Sequence, residues 1–292
     1  MRLAAEWPEH RPAVFGVAYR LLGSVADAED VVQDVWLRAS SADLSAVVDL
    51  RAWLVTVAAR RSYDVLKSAR VQRESYVGPW LPEPLLTGPD AAEPVLVDES
   101  VTTAMLLVME ALSPPERVAF VLHDVFGISF DRIAEVLGGS VPAARKLASR
   151  ARRRVAEARE SAPTAPRAER ERLLVAFRAA YQAGDLAGLV ELMHPDAVYT
   201  TDGGGEVFAA RKLIHGGRRI AEVLLRVGRQ WSLSGVDIVE IGGEPALVAY
   251  REGRVHSVDT VEITDGRISA YRRQLNPRKL QAVTFARPES SP

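Results

Sequence analysis

From Gly78 to Pro94 the chain carries five prolines (Pro79, Pro82, Pro84, Pro89 and Pro94). No regular helix runs through such a stretch, because each proline lacks a backbone donor and clashes with the turn before it. A shorter segment of the same kind, Ser161-Ala-Pro-Thr-Ala-Pro166, follows later. The two breaks predict three compact blocks: residues 1–75 and 98–160, joined by a linker at 76–97, and residues 167–287 beyond a linker at 161–166. With 292 residues, 48% of them hydrophobic, each block can bury a core. The absence of cysteine excludes disulfide staples, thiolate metal sites and thiol nucleophiles. No segment has the roughly 20 apolar residues of a membrane span, so a cytoplasmic protein with no membrane partner is expected.

The first two blocks read as helices throughout. Phe15, Ala18, Tyr19 and Leu22, then Ala28, Val31, Val32, Val35 and Ala39, have helical spacing, and Ser24-Val-Ala-Asp27 has the form of a capping box. The sharpest local pattern is in the second block. The helix Phe130 to Leu137 meets Gly138-Gly139, and Ser140 then caps a further helix with Pro142 in its first turn. In that helix Val141, Ala144, Ala148, Ala151 and Val155 share one face, while Arg145, Ser149 and Arg152 lie opposite, flanked by Lys146, Arg150 and Arg153. Helix, glycine turn, helix with one packing face and one basic face is the pattern of a helix-turn-helix. A solvated basic helix is the plainer alternative.

Two more surfaces stand out. Along Leu50 to Arg70, Leu50, Trp53, Leu54, Val57 and Ala58 point inward, while Thr56, Arg60, Tyr63, Lys67 and Arg70 step along one face. Cations alternating with an aromatic ring suit single-stranded or melted DNA, where phosphates meet the cations and an unpaired base stacks on the ring. An ordinary exposed face with one tyrosine is the competing reading. The preceding helix carries Asp27, Asp30 and Asp34, with Gln33 nearby, and ends on Trp36 and Leu37. Its charge rejects DNA and fits a basic protein partner. The net charge of -1 argues against bulk coating of nucleic acid, so such surfaces must act locally.

The third block differs. Helical stretches at Arg167 to Ala183, Asp185 to Met193 and Ile214 to Val227 flank a glycine-rich turn. Four strand-like runs follow, Val236 to Ile241, Ala246 to Arg251, Val255 to Thr264 and Arg267 to Leu275. The separating pairs Gly242-Gly243, Glu252-Gly253 and Asp265-Gly266 mark hairpins of an antiparallel sheet. His194, Asp202, His215, Asp237 and His256 are its candidate acid/base groups, but no spacing among them demands proton transfer, and catalysis is not expected. The run Gly203-Gly204-Gly205 has no phosphate-loop lysine after it and reads as a regulatory loop.

Together the first two blocks resemble the extracytoplasmic-function sigma factors. Phe15-Gly-Val-Ala-Tyr-Arg-Leu-Leu22 with Asp27-Ala-Glu-Asp-Val-Val-Gln-Asp-Val-Trp36 resembles the opening of sigma region 2. Trp53-Leu54 with Arg60 and Asp64 resembles its DNA-reading helix, and Ser113-Pro-Pro-Glu-Arg117 leads into a helix-turn-helix similar to sigma region 4. The resemblance implies that Asp30, Gln33, Asp34 and Leu37 meet the beta-prime clamp helices of core RNA polymerase, with region 4 on the beta flap. It implies that Thr56, Arg60, Tyr63, Lys67 and Arg70 read the minus-10 promoter element. Ser140, Ala143, Arg145, Lys146, Ser149 and Arg150 would read the minus-35 element.

A narrower resemblance is to the group with a fused C-terminal SnoaL-like domain, an α+β cone with a curved antiparallel sheet. It rests on Trp80-Leu81-Pro82-Glu83-Pro84, Asp202-Gly203-Gly204-Gly205-Glu206 and Asn276-Pro277-Arg-Lys-Leu280, which imply a regulatory contact between linker and tail. Glu206 stands where a basic residue is usual, and Arg278 where an acidic one is. The fold expected is therefore multi-domain, two all-α sigma domains followed by the cone. No cofactor, no metal and no separate anti-sigma partner is expected, and the free chain, lacking a heptad seam, is expected to be a monomer. The rival reading is a one-component helix-turn-helix regulator with a ligand-binding cone. In that reading neither the acidic helix nor the melted-DNA stripe has a task.

Overall fold

A computed structural model describes residues 2–74, 76–87, 101–161 and 165–283. Pro89, Pro94 and the rest of the first break after Thr87 lie outside the described residues, as do residues 162–164, 284–292 and the side chain of Arg70. The chain forms two compact units, one of residues 1–75 and 89–158 and one of residues 76–88 and 159–292. The first half of the proline-rich linker thus belongs with the C-terminal block.

The first unit is all helix. Its N-terminal part holds α1 (Arg2–Leu22), α2 (Val25–Ser41) and α3 (Leu50–Glu74). Ser24 caps α2, its Oγ accepting from the Asp27 amide at 3.1 Å, and Ala28, Val31, Val32, Val35 and Ala39 are buried as their spacing predicts. The second part holds α4 (Thr103–Glu110), α5 (Pro114–Phe120), a π-helical turn at Val121–Val125, α6 (Phe130–Leu137) and α7 (Val141–Ser161). Between α6 and α7, Gly138 takes the left-handed conformation at φ 66°, which only glycine adopts without strain. Ala144, Ala148, Ala151 and Val155 of α7 are buried. The two parts join at Arg117, whose buried guanidinium donates to the Leu21 carbonyl at 2.8 Å and pairs with Glu110 at 2.9 Å. Burial pulls its pKa down to about 10.

The second unit packs α8 (Arg167–Ala183), α9 (Leu186–Leu192) and α10 (Gly217–Trp231) on one face of a six-stranded sheet. The strands are β1 (Met193–Asp202), β2 (Ile214–His215), β3 (Gly235–Ile241), β4 (Glu244–Arg251), β5 (Arg254–Thr264) and β6 (Arg267–Gln274), in the order β2-β1-β6-β5-β4-β3. The last four form the meander that the turn pairs predict. Both residues of each pair have positive φ, from 52° to 78°, as a type I′ turn demands. One expectation is corrected. The helix placed from Ile214 begins at Gly217, because Ile214 and His215 pair with β1 and Gly216 turns the chain at φ 95°. The segment from Met193 is a strand, joined to β6 in parallel while the other pairs are antiparallel. Ala197, Tyr199 and Thr201 are its alternating buried residues.

Both faces of the sheet are covered. Leu247, Ala249, Val261, Ile263 and Tyr271 face the helices with Phe177, Leu174 and Leu224. Ala246, Val248, Tyr250 and Val258 face the other way, beneath Leu280, Val283 and Leu86. Leu86 adds a β-bridge to Ile241, so the linker extends the edge of β3.

In the first unit, Glu116 fastens α5 to α7. It accepts from the Ser113 amide at 3.1 Å and hydroxyl at 2.7 Å, and it pairs with Arg150 and Arg154, each at 3.1 Å. Burial works to raise its pKa, but the Ser113 hydrogen bonds and the two arginines outweigh it, so the net displacement is downward from 4.5. The carboxylate therefore adds stability that is present at neutral pH and lost as the pH falls through its depressed pKa. Glu116→Gln is expected to cost about 1–3 kcal/mol in urea unfolding at pH 7. The gap to the parent protein should close toward pH 3, and a gap of constant size would contradict the assignment.

Candidate functional site

Three sets of side chains predicted to bind partners lie on the first unit. On α2, Asp30, Gln33 and Leu37 are exposed, Leu37 at 65%. Asp34 is pinned by Arg61 of α3 at 2.6 Å, so its charge is shared within the domain. Trp36, expected to be displayed beside Leu37, instead packs edge-on against Trp7 with ring centroids 5.0 Å apart. Nothing in the local pattern of α2 announced this contact with α1.

On α3, Arg60 and Lys67 are exposed and Tyr63 half-buried. The Lys67 ammonium stands 4.4 Å from the Tyr63 ring centroid and 2.9 Å from Asp64. Thr56 spends its hydroxyl proton on the Ala52 carbonyl at 2.7 Å. Leu50, Leu54 and Ala58 are buried as expected, but Trp53 and Val57 are only half-buried. They line a groove of about 740 Å³ with Thr56, Arg60, Arg132 and Glu135. The last two come from α6, so the first helix of the helix-turn-helix forms one wall of the groove along α3.

On α7, Ala143, Arg145, Lys146, Ser149 and Arg150 are exposed. Arg145 lies over the Phe130 ring at 5.7 Å, and the Ser140 hydroxyl accepts from the Ala143 amide at 3.4 Å. Arg150 is held by Glu116, and Arg152, on the same exposed side, by Asp124 at 2.7 Å. Four candidates, Ala143, Arg145, Lys146 and Ser149, therefore lie within the first three turns of α7 on its open side.

The second unit gathers the linker and tail motifs around one carboxylate. Asp202, at the end of β1, is fully buried. Its Oδ1 accepts from the Tyr76 hydroxyl at 2.5 Å and the Gly204 amide at 3.0 Å, and its Oδ2 from the Leu81 amide at 2.9 Å and Lys279 at 2.7 Å. Lys279 also donates to the Leu81 carbonyl at 2.7 Å, and its ammonium lies 4.5 Å from the Trp80 ring centroid. Gln274 reaches the carbonyls of Leu81 and Pro82, and Asn276 donates to the Tyr76 oxygen at 3.1 Å. Burial first, then the bond to Asp202, pushes the Tyr76 pKa well up, so its hydroxyl stays a donor.

Glu83 and Pro84 are buried beside this cluster, as is Leu280, while Pro277 starts the 3-10 turn that presents Lys279. Gly204 and Gly205 have φ of 62° and 76°. A side chain at Gly204 would collide with Asn276, so only glycine lets the loop close on the tail. The two unusual residues answer each other, because Glu206 and Arg278 form an ion pair. The reversal of both charges therefore keeps the attraction. Sequence reasoning did not find Tyr76, Gln274 and Lys279 as partners of Asp202; only the proximity of the three motifs in space reveals them.

The acid/base candidates of this domain do not converge. His194 accepts from the Asp196 amide at 3.1 Å, His215 is exposed in β2, Asp202 belongs to the linker cluster, and His256 packs against Trp231. Among the described residues no group of three His, Asp or Glu side chains could hold a metal, and no helix is long and apolar enough to cross a membrane.

Family models match the chain in the order of these surfaces: Sigma-70 region 2 over residues 8–71, Sigma-70 region 4 over 102–155 and a SnoaL-like domain over 174–271. That is the composition of a sigma factor with a fused C-terminal domain. The chain is 39% identical to the ECF RNA polymerase sigma factor SigJ of Mycobacterium tuberculosis, covering 94% of this chain and 92% of that one. It is 32% identical to the probable ECF RNA polymerase sigma factor SigI of the same organism, covering 96% of each. The crystal structure of SigJ superposes with a TM-score of 0.76 at 37% identity, over 96% of this chain and 98% of that one. The chain belongs to the extracytoplasmic-function sigma factors with a C-terminal SnoaL-like domain, and it is an RNA polymerase sigma factor.

Removing the charge at the centre of the linker cluster strands Lys279 among groups that already hold their own partners. Asp202→Asn is expected to destabilise the C-terminal unit by about 3 kcal/mol in calorimetry and to open residues 76–87 to proteolysis. Unchanged melting and protection would refute the role of the carboxylate. For the exposed pair, Glu206→Arg and Arg278→Glu should each cost under about 1 kcal/mol, and the double exchange should recover most of the loss. Strictly additive effects would show that the two charges do not interact.

Proposed function

We propose that this sigma factor divides promoter selection among the three surfaces of its helical unit and controls their spacing through its C-terminal domain. The open face of α2, through Asp30, Gln33 and Leu37 with Asp34 behind them, docks core polymerase. Arg60, Tyr63 and Lys67, with Thr56 and Arg70 on the same helix, meet the melted minus-10 element, the cations on phosphate and the ring on an unpaired base. Ala143, Arg145, Lys146 and Ser149 enter the major groove of the minus-35 element, while Ser140 caps α7 and Arg150 steadies it from Glu116.

The observation that carries this reading is the two-sidedness of α7. Its alanine face is fully buried, and its base-reading candidates are exposed on the opposite side next to a glycine turn. In the packed arrangement α6 walls the groove containing Thr56 and Arg60. Minus-10 DNA therefore reaches α3 fully only after region 4 moves away from region 2, a step that breaks the bond from Arg117 to Leu21.

The C-terminal domain acts on the same step from the linker side. By holding Tyr76 to Thr87 against itself it fixes the chain leaving α3, and it does so as a binding scaffold without catalysis. Being part of the same chain, it stands in for a separate anti-sigma protein, and the whole works in the cytoplasm beside the polymerase.

Reconstitution with core RNA polymerase on a promoter library tests the proposal. Arg145→Ala should lower specific transcription about tenfold while leaving association with core intact, the loss expected for one base contact. A chain ended after Pro166 and a chain ended after Asn276 should differ from each other and from the full protein. Two truncations with the parent's activity would reject the regulatory part, and failure to associate with core would reject the whole.

A further inference from the structure

The arginines of α7 differ in what holds them. Arg150 and Arg154 pair with Glu116, Arg152 with Asp124 and Arg153 with Glu157. Arg145 makes no ion pair and no side-chain hydrogen bond with a described residue, and its guanidinium lies instead over the Phe130 ring, 5.7 Å from the centroid. The two kinds of partner have opposite consequences for a DNA contact. A carboxylate takes up N–H donors that a base edge would need, whereas an aromatic face attracts the cation and leaves its donors open.

Phe130 is itself fixed from below. It is the first residue of α6, half-buried, and its ring stacks on the His123 imidazole with centroids 4.0 Å apart and planes 29° from parallel. His123 belongs to the π-helical turn, a rare backbone form that recurs at functional sites. The chain then bends at Gly127, φ 67°, and brings the Ile128 carbonyl to 3.1 Å from His123 Nδ1. A carbonyl only accepts, so Nδ1 carries the proton and the imidazole is tied to the backbone. An arginine loses much of its rotamer freedom when it binds, and a contact made before binding reduces that loss.

We propose that Phe130 is a positioning residue for promoter readout: stacked on His123, its ring holds the Arg145 guanidinium ready to meet a base edge in the minus-35 element. The first helix of the helix-turn-helix thereby contributes to base selection without touching a base. Guanine, which offers two acceptors side by side to a guanidinium fork, is the base such a group reads best. This role rests on the assignment of Arg145 to base reading and adds what prepares that side chain.

The test is the selectivity of full-length protein with core RNA polymerase on a library that varies each minus-35 position in turn. Arg145→Ala should flatten the preference at one position. Phe130→Leu keeps apolar bulk but removes the π face, and it should weaken the preference at that same position about two- to fivefold, the ratio an exposed cation–π contact corresponds to. Other positions and association with core should not change. Phe130→Tyr, which keeps the ring, should retain the parent's preference, and Phe130→Leu added to Arg145→Ala should change nothing further. Parent-like preference in Phe130→Leu, a loss spread evenly over all positions, or a fall in Phe130→Tyr equal to that in Phe130→Leu would overturn the role of the ring even where Arg145→Ala flattens its position. If Arg145→Ala leaves every preference intact, the base-reading assignment falls and the role of Phe130 falls with it.

Discussion

A carboxylate with no exposure to water is costly unless every oxygen lone pair is answered, and Asp202 is answered from three separate stretches of chain. Tyr76 and Leu81 come from the linker, Gly204 from the loop after β1, and Lys279 from the turn after β6. None of the three can leave without exposing the others to an unmet charge. The linker is therefore bound to the C-terminal domain by electrostatic necessity, although it has almost no regular structure of its own. Leu86 under the sheet and the Thr87 amide on the Glu240 carbonyl at 2.9 Å extend the attachment along one edge.

That attachment changes what the prolines do. Read alone, a proline-rich stretch between two helical domains is a spacer whose reach depends on its length and stiffness. Here residues 76–87 lie against a folded surface, and the prolines, having no amide to satisfy, suit an extended segment that pairs through only a few groups. The two helical domains meanwhile form one unit, joined through Arg117 to the Leu21 carbonyl and by the Arg20 guanidinium over the Phe126 ring at 5.5 Å. Freedom between the helical domains is limited by that direct packing.

Local chemistry made much of this legible. Ser24 caps α2 through its side chain, Gly138 and the three positive-φ turn pairs take backbone conformations that few other residues allow, and the helices and hairpins they delimit lie where the spacing puts them. What stayed hidden depends on partners distant in sequence. The β1 strand is fixed by parallel pairing with β6, about 70 residues away by the register of Val198 with Ala270. Trp36 turns inward because Trp7 is there, and Asp34 is held in an ion pair because Arg61 is there. Asp259 and Arg273 look like any alternating polar residues of a half-exposed strand until their register as direct cross-strand partners puts both under the helices.

The same register explains how one strand serves two unrelated tasks. Side chains along β6 alternate between faces, so Tyr271 and Arg273 point under the helices while Gln274 points toward the linker. Arg273 pairs with Asp259 on β5, and its neighbour Gln274 is the cross-strand partner of Asp202 on β1. A slip of one residue would exchange the faces, burying an amide against Asp259 and offering a guanidinium to the crowded space around Lys279. The ion pair on one side and the linker bonds on the other therefore enforce a single alignment of β6. The polar interior of the domain and its grip on the linker are two readings of one backbone, fixed by the same hydrogen-bonded pairs.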